Sequence, residues 1–388
     1  MAEKNKNLAL TGGAAAAEAL KQIDPDVMPV YPITPQTPII ETFAKFVADG
    51  EADTVMIEVE SEHSAMSAAV GAEAAGARAM TASSSQGIML MAEILPIASG
   101  MRLPILMLVS ARAISAPINI HGDHQDVMAV RDLGWIQIFS ENAQEVYDNT
   151  FIALKLAEKV RLPVMVIMDG FQTSHSVENL EILENAVAKN FAGVYKPKNY
   201  LLNFDEPKTF GPVSLPNSYF EFKRAEIEAM DGVIGEIGKI FNDYGNISGR
   251  SYDVFEGYRL DDAEKAIVVA GSTAGTAKVA VDELREIGEK VGLLKIKLFR
   301  PFPYEQIAMA LKNVKNIAVF DRTMPLGSTA PLHGEIIQIL STIPNKKYTV
   351  QSCIYGLGGR EIFKEDIKKV FEDLDKDEVE VIKYIGLK

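Results

Sequence analysis

The chain has 388 residues, 47% hydrophobic and 24% charged, with a formal net charge of −14 at pH 7. This is the composition of an ordinary globule rather than a disordered chain. The acidity argues against binding a phosphate backbone, which needs clustered Lys and Arg, and fits solubility better than recruitment of a basic partner. The single cysteine, Cys353, excludes an intrachain disulfide and any CxxC set for zinc or an iron-sulfur cluster, and reads as a small apolar filler in a strand. Residues 1–8 are too polar for a signal sequence and no run of about 18 apolar residues follows, so a soluble, cytoplasmic chain without a membrane partner is expected. Chains beyond about 250–300 residues usually divide, so two domains are expected.

In chain order, Gly12-Gly13 opens an alanine-rich helix that Asp24-Pro25-Asp26 stops, and residues 27–31 form a short buried strand. Pro32, Pro35 and Pro38 then make a rigid turn that presents Thr34 on restricted backbone. Residues 38–48 have helical periodicity with Ile39, Ile40, Phe43 and Phe46 inward, and residues 54–59 are the next strand. Ser61 starts a helix of small residues that ends at Gly76, with Glu62 in its first turn, where the dipole favours negative charge. From spacing alone, a helix-start carboxylate and a functional group are equally good readings of Glu62.

Residues 77–82 are a third strand, and Ser83-Ser84-Ser85-Gln86-Gly87 turns into a helix over 88–98. That turn could cradle an anion, although it lacks the glycine spacing of a dinucleotide loop. Residues 104–109 form an almost wholly apolar strand, buried on both faces, which delivers Arg112 to its end. An arginine there suits a carboxylate, because its planar fork donates two bonds at once. The crowding of His121, Asp123 and His124 invites a metal reading, but without a third ligand set in reach a loop hydrogen-bond network is expected, and no metal site is assigned. A helix over 143–159 and a strand over 163–168 complete a doubly wound α/β layer with functional groups at the carboxyl ends of its strands.

Residues 191–216 break the alternation as a proline-bearing surface excursion, and a helix over 222–244 follows. A second, smaller α/β domain has strands at 266–270, 291–298 and 316–320 and helices at 277–291 and 304–311. Its Gly271–Thr276 loop lacks a Walker lysine and reads as a strand-to-helix turn. The domains are placed at 1–258 and 259–388.

Several runs now carry a resemblance. Tyr31-Pro32-Ile33-Thr34-Pro35, Glu60-Ser61-Glu62-His63-Ser64-Ala65, Thr81-Ala82-Ser83-Ser84-Ser85-Gln86-Gly87, Ala111-Arg112-Ala113 and Gly122-Asp123-His124-Gln125-Asp126 resemble the α subunits of the 2-oxoacid:ferredoxin oxidoreductases, most closely the multi-subunit pyruvate type. Leu298-Phe299-Arg300-Pro301-Phe302-Pro303 and Tyr355-Gly356-Leu357-Gly358-Gly359-Arg360 extend the likeness over nearly the whole chain. The resemblance implies a pyrimidine-type thiamine diphosphate domain followed by a transketolase C-terminal-like domain. It implies a reversible reaction of anaerobic metabolism in which a 2-oxoacid and coenzyme A give an acyl-CoA and carbon dioxide while ferredoxin is reduced. By the same resemblance Glu62 would hold the coenzyme's aminopyrimidine nitrogen and promote its imino tautomer, while Thr34 and Arg112 would bind the 2-oxoacid. His63, Gln125 and Asp126 would stand in support.

The Gly-Asp-Gly run that anchors a diphosphate through a divalent metal is absent: Asp169 and Asp231 follow Met, and Asp123 precedes His. The diphosphate half and magnesium are therefore expected on a β subunit and the iron-sulfur clusters on partner γ- and δ-type subunits, giving a heterooligomer that is inactive without them. Pyruvate is favoured over 2-oxoisovalerate or 2-oxoglutarate because no further basic residue stands beside Thr34 or Arg112. A non-redox thiamine decarboxylase half and a non-catalytic scaffold are the competing readings. Gln36-Thr37 and His63 depart from the single-chain relatives and bear on the shape of the pocket.

Overall fold

The computed structural model describes residues 6–344, 347–376 and 380–388. Its amino-terminal half carries strands β1 (Lys6–Thr11), β2 (Val27–Val30), β3 (Val55–Glu58), β4 (Met80–Ser83), β5 (Leu106–Ala111), β6 (Ile136–Phe139), β7 (Val164–Asp169) and β8 (Val177–Ile182). The helices there are α1 (Gly12–Ile23), α2 (Thr37–Ala48), α3 (Glu62–Ala75), α4 (Ser85–Met91), α5 (Leu95–Gly100), α6 (Gln125–Ala129), α7 (Ala143–Val160), α8 (Asn185–Ala192), α9 (Tyr219–Asp231) and α10 (Val233–Ser248). Strands β4, β5, β7 and β6 lie side by side and parallel, and the parallel pair β2–β3 continues the sheet beyond β4 through a bridge between Val27 and Ala79. Strands β1 and β8 pair antiparallel away from it.

Local chemistry sets the ends of these elements. The Thr11 hydroxyl accepts from Ala14 N at 3.1 Å to start α1, which closes at Asp24 with φ 53° just before Pro25. Ser61 caps α3 by accepting from Ser64 N at 3.2 Å, and Gly76 ends it at φ 109°, where a side chain is disfavoured. Such a cap contributes about 1 kcal/mol, enough to fix which residue opens the helix. Strands β5 and β7 are buried along their whole length because helices cover both faces.

The second unit is a six-stranded sheet in the order β15 (Lys383–Tyr384), β14 (Thr349–Ile354), β13 (Asn316–Asp321), β10 (Lys265–Ala270), β11 (Val291–Ile296), β9 (Phe255–Tyr258), parallel except for β9. Cys353 is fully buried in β14, in one cluster with Phe320 and Tyr355, and burial pushes its thiol pKa up. One apolar core lies under α1, α2, α7 and α10, and another runs from α3–α5 across to β10, β11 and β13. The two units therefore share a core.

Four sequence expectations are corrected. The helix expected over 88–98 is two helices, because Pro96 sits in the first turn of α5 and cannot donate to a continuing ladder. The helix over 222–244 breaks at Gly232 between α9 and α10. The strand over 291–298 ends at Ile296, and β12 (Leu298–Arg300) crosses to pair antiparallel with β6 at the edge of the first sheet. There Phe299 packs edge-on to Phe139 and Phe302, with centroids 6.1 and 5.7 Å apart. The helix expected over 277–291 is Thr273–Glu286, starting at the strand-to-helix turn itself.

Candidate active site

The carboxyl ends of β2, β3, β4 and β5 form one rim, and each delivers a polar group to it. After β2, the Thr34 turn is braced by Gln36, whose Nε2 donates to Tyr31 O at 3.0 Å and whose amide N donates to Ile33 O at 3.0 Å. Thr34 itself is exposed. After β3, Glu62 enters α3 with only 7% of its surface exposed. Its side chain lies against the backbone of Gly87 in α4, where an added Cβ would stand 2.8 Å from Glu62 Cγ and Oε1. Among the described residues neither a hydrogen-bond donor nor a cation meets this carboxylate, and its oxygens are not among the fully enclosed polar atoms, so the tip stays accessible to an incoming group.

After β5, Arg112 is 5% exposed. Its Nε donates to Asn119 O at 2.9 Å and its Nη1 to Thr34 O at 2.9 Å. Those bonds bring the Arg112 and Thr34 positions together. Among the described residues no carboxylate forms an ion pair with the guanidinium, and burial holds its pKa below the usual arginine range. The fork is thus aimed by two carbonyls and left with N–H donors for an anion.

Asp126, fully buried, ties the two sides of the rim together. Its Oδ2 accepts from Ser85 N at 2.8 Å and Arg112 N at 2.9 Å, and its Oδ1 accepts from Val127 N at 2.8 Å. Burial raises its pKa to about 7 against the pull of these N–H donors. The Ser83–Gly87 turn does receive an anion, and that anion is the protein's own Asp126. Sequence reading set Asp126 among several supporting residues; what singles it out is the contact between Ser85 and a residue 41 positions away. Of the other two, Gln125 accepts from Ile114 N at 3.3 Å, while His63 faces outward to Glu93 at 3.2 Å.

The His121–Asp126 segment is a hydrogen-bond network. His124 Nε2 meets Asp169 Oδ1 at 2.6 Å, and Asp123 accepts from Gln125 N at 2.9 Å and Gly358 N at 3.2 Å. Asp169, at the end of β7, also accepts from Arg322 Nη1 at 2.9 Å and Ser272 N at 2.9 Å. Burial would raise its pKa, but the His124 and Arg322 charges overcome that and hold it well below the usual carboxylate range. The Gly271–Thr276 turn thus holds a carboxylate of the first unit. Sequence reading missed this seam entirely.

Among the described residues one acidic group, Glu141, Glu145 and Glu256, has metal-ligand spacing. Lys295 reaches these carboxylates at 2.6, 2.9 and 2.6 Å, and Lys297 reaches Glu145 at 3.0 Å, so the cluster is an ion-pair network across the two units. Among the described residues no helix is long and apolar enough to cross a membrane.

The profile described as "Pyruvate flavodoxin/ferredoxin oxidoreductase, thiamine diP-bdg" matches residues 18–241. That described as "Pyruvate:ferredoxin oxidoreductase core domain II" matches residues 263–367. The chain belongs to the pyruvate:ferredoxin oxidoreductase family. It is 52% identical to "Pyruvate synthase subunit PorA" of Thermotoga maritima over 95% of this chain and 94% of that one. It is 48% identical to the protein of the same name from Methanocaldococcus jannaschii, over 98% and 97%. A solved "2-oxoglutarate:ferredoxin oxidoreductase from Magnetococcus marinus with 2-oxoglutarate, coenzyme A and succinyl-CoA bound" shares the fold at TM-score 0.76 and 19% identity, over 96% of this chain and 66% of that one. As a pyruvate:ferredoxin oxidoreductase family member, this chain is a component of an oxidoreductase and carries the family's thiamine diphosphate-binding domain in a mixed α/β fold.

Proposed function

We propose that the chain is the α subunit of a pyruvate:ferredoxin oxidoreductase whose active site is completed by a second polypeptide. The reaction consumes pyruvate and coenzyme A, releases acetyl-CoA, carbon dioxide and a proton, and passes two electrons to ferredoxin. It is reversible in principle. The pyrimidine-type unit and the transketolase C-terminal-like unit divide near the expected 258/259 boundary, shifted ahead of β9 because Phe255–Tyr258 pairs with β11 in the second sheet. A β subunit brings the diphosphate site and its magnesium, and γ- and δ-type subunits bring the clusters. Cys353, the one cysteine, is buried and offers no cluster ligand set. The complex works in the cytoplasm.

The reading rests on one observation, a largely buried Glu62 whose carboxylate has no partner among the described residues, on the rim that also carries Arg112. An aminopyrimidine ring nitrogen fits it, since protonated nitrogen supplies the donor that this carboxylate lacks. Bound thiamine diphosphate supplies a nucleophilic thiazolium carbon and a sink for the electron pair left by carbon dioxide. Glu62 holds the proton at the pyrimidine nitrogen. The free N–H groups of Arg112 pair with the carboxylate of the 2-oxoacid, and the Thr34 hydroxyl donates to that carboxylate or to the keto oxygen. A dry position for the substrate carboxylate beside Arg112 would favour loss of its charge as carbon dioxide.

Glu62→Gln in the assembled complex tests the proposal. Turnover should collapse while the subunits still assemble. Unchanged turnover would leave only the scaffold reading.

A further inference from the structure

The Tyr355–Arg360 turn of the second unit lies against the loop that carries the carbonyl aiming Arg112. Residues 115–118 and 120–121 of that loop are exposed, and Asn119 is half-buried. Asn119 O accepts from Arg112 Nε at 2.9 Å, and Ala113 N donates to His121 O at 3.2 Å. The rest of the grip comes from 235 and more residues away. Asn119 Nδ2 donates to Gly358 O at 3.0 Å, Gly359 N donates to Gly122 O at 2.9 Å, and Gly358 N donates to Asp123 Oδ2 at 3.2 Å.

Only glycine permits this approach. Gly358 and Gly359 have φ of +58° and +79°, a region that side chains disfavour. A Cβ on Gly358 would stand 2.3 Å from Asn119 Nδ2, and one on Gly359 would stand 2.4 Å from His121 Cβ. Gly356, at φ +65°, leaves room in the same way for Arg322, whose Nε donates to Gly356 O at 3.2 Å. Asn119 cannot swing clear without loss, because its Oδ1 already accepts from His121 N at 2.7 Å.

We infer that this glycine turn is a positioning element for substrate: the second unit, through Gly358 and Asn119, sets the direction of the Arg112 guanidinium and hence the affinity for the 2-oxoacid carboxylate. The inference rests on Arg112 binding that carboxylate. It adds that part of the substrate site is held in place by a unit that contributes no group to it.

Steady-state kinetics of the assembled complex, with pyruvate varied, tests it in a double-mutant cycle. Gly358→Ala should raise KM for pyruvate roughly tenfold or more with kcat largely held, because a misdirected guanidinium weakens binding before chemistry. Asn119→Ala keeps the carbonyl but removes the tether to Gly358, and should raise KM only about threefold, the scale of one neutral hydrogen bond. The double variant should raise KM by less than the product of the two single effects, since the added methyl then has no amide to displace and only the backbone strain at Gly358 remains. Additive effects, or equal losses in kcat and in folded complex with KM unchanged, would overturn the inference. If Gly358→Ala does not fold, Asn119→Ala with unchanged KM overturns it equally. Arg112→Lys in the same assay separates the two ideas: if its KM is unchanged, the reading of Arg112 itself fails; if its KM rises while the cycle is flat, only the positioning role fails.

Discussion

Glu62 and Asp169 stand on the same rim of the same sheet, both almost out of water, and their surroundings are opposite. Asp169 is saturated, with His124, Arg322 and Ser272 all directed at it and two of these coming from the second unit. Glu62 meets a glycine backbone and no donor among the described residues. A paired buried carboxylate resists removal and an unpaired one opposes folding, so Asp169 is a joint and Glu62 a site waiting for a partner group. Arg112 belongs with Glu62: its fork is aimed by carbonyls and makes no ion pair among the described residues.

The contrast predicts that stability and turnover separate. Glu62→Gln should lower turnover of the assembled complex by roughly a hundred- to ten-thousandfold, the range of a lost proton-transfer group. Its melting temperature should hold or rise, because a charge without a partner has been removed. Asp169→Asn should do the reverse in kind, costing about 3–5 kcal/mol in denaturant unfolding by leaving Arg322 and His124 without their acid.

The pH dependence follows from the depressed Asp169 pKa. A carboxyl held lower in the folded chain than in the unfolded one stabilises the fold above its unfolded value, and that contribution is lost as pH falls below about 4. Unfolding followed from pH 6 downward should show a larger loss in the native chain than in Asp169→Asn, where Glu145 and the other paired carboxylates still contribute. Gly87→Ala should fall between the extremes, with about 1–3 kcal/mol of overpacking and a loss of turnover from displacing Glu62, read by melting and kinetics together. Cys353→Ala should be smallest, about 1 kcal/mol in stability and nothing in activity.

What was legible in the sequence was local. Ser61 and Gly76 announce both ends of α3, the prolines announce the Thr34 turn, and the apolar run of β5 announces where Arg112 emerges. These signals lie within a few residues of what they determine. The seam was illegible for the opposite reason, since Asp169 meets Ser272 103 positions away and Arg322 153 positions away. Pairing of β12 with β6 likewise needs tertiary packing to choose between continuing one sheet and joining another. Single residues that interrupt helices, Pro96 and Gly232, are a weak signal beside the apolar periodicity that continues on either side of them.

The central claim concerns one proton. In the assembled complex loaded with thiamine diphosphate, the rate at which deuterium replaces the hydrogen on the thiazolium C2 reports whether Glu62 holds the aminopyrimidine in its activating form. The account predicts a fast exchange that Glu62→Gln slows by about a hundredfold or more while coenzyme binding persists. An exchange rate indifferent to that substitution would contradict it.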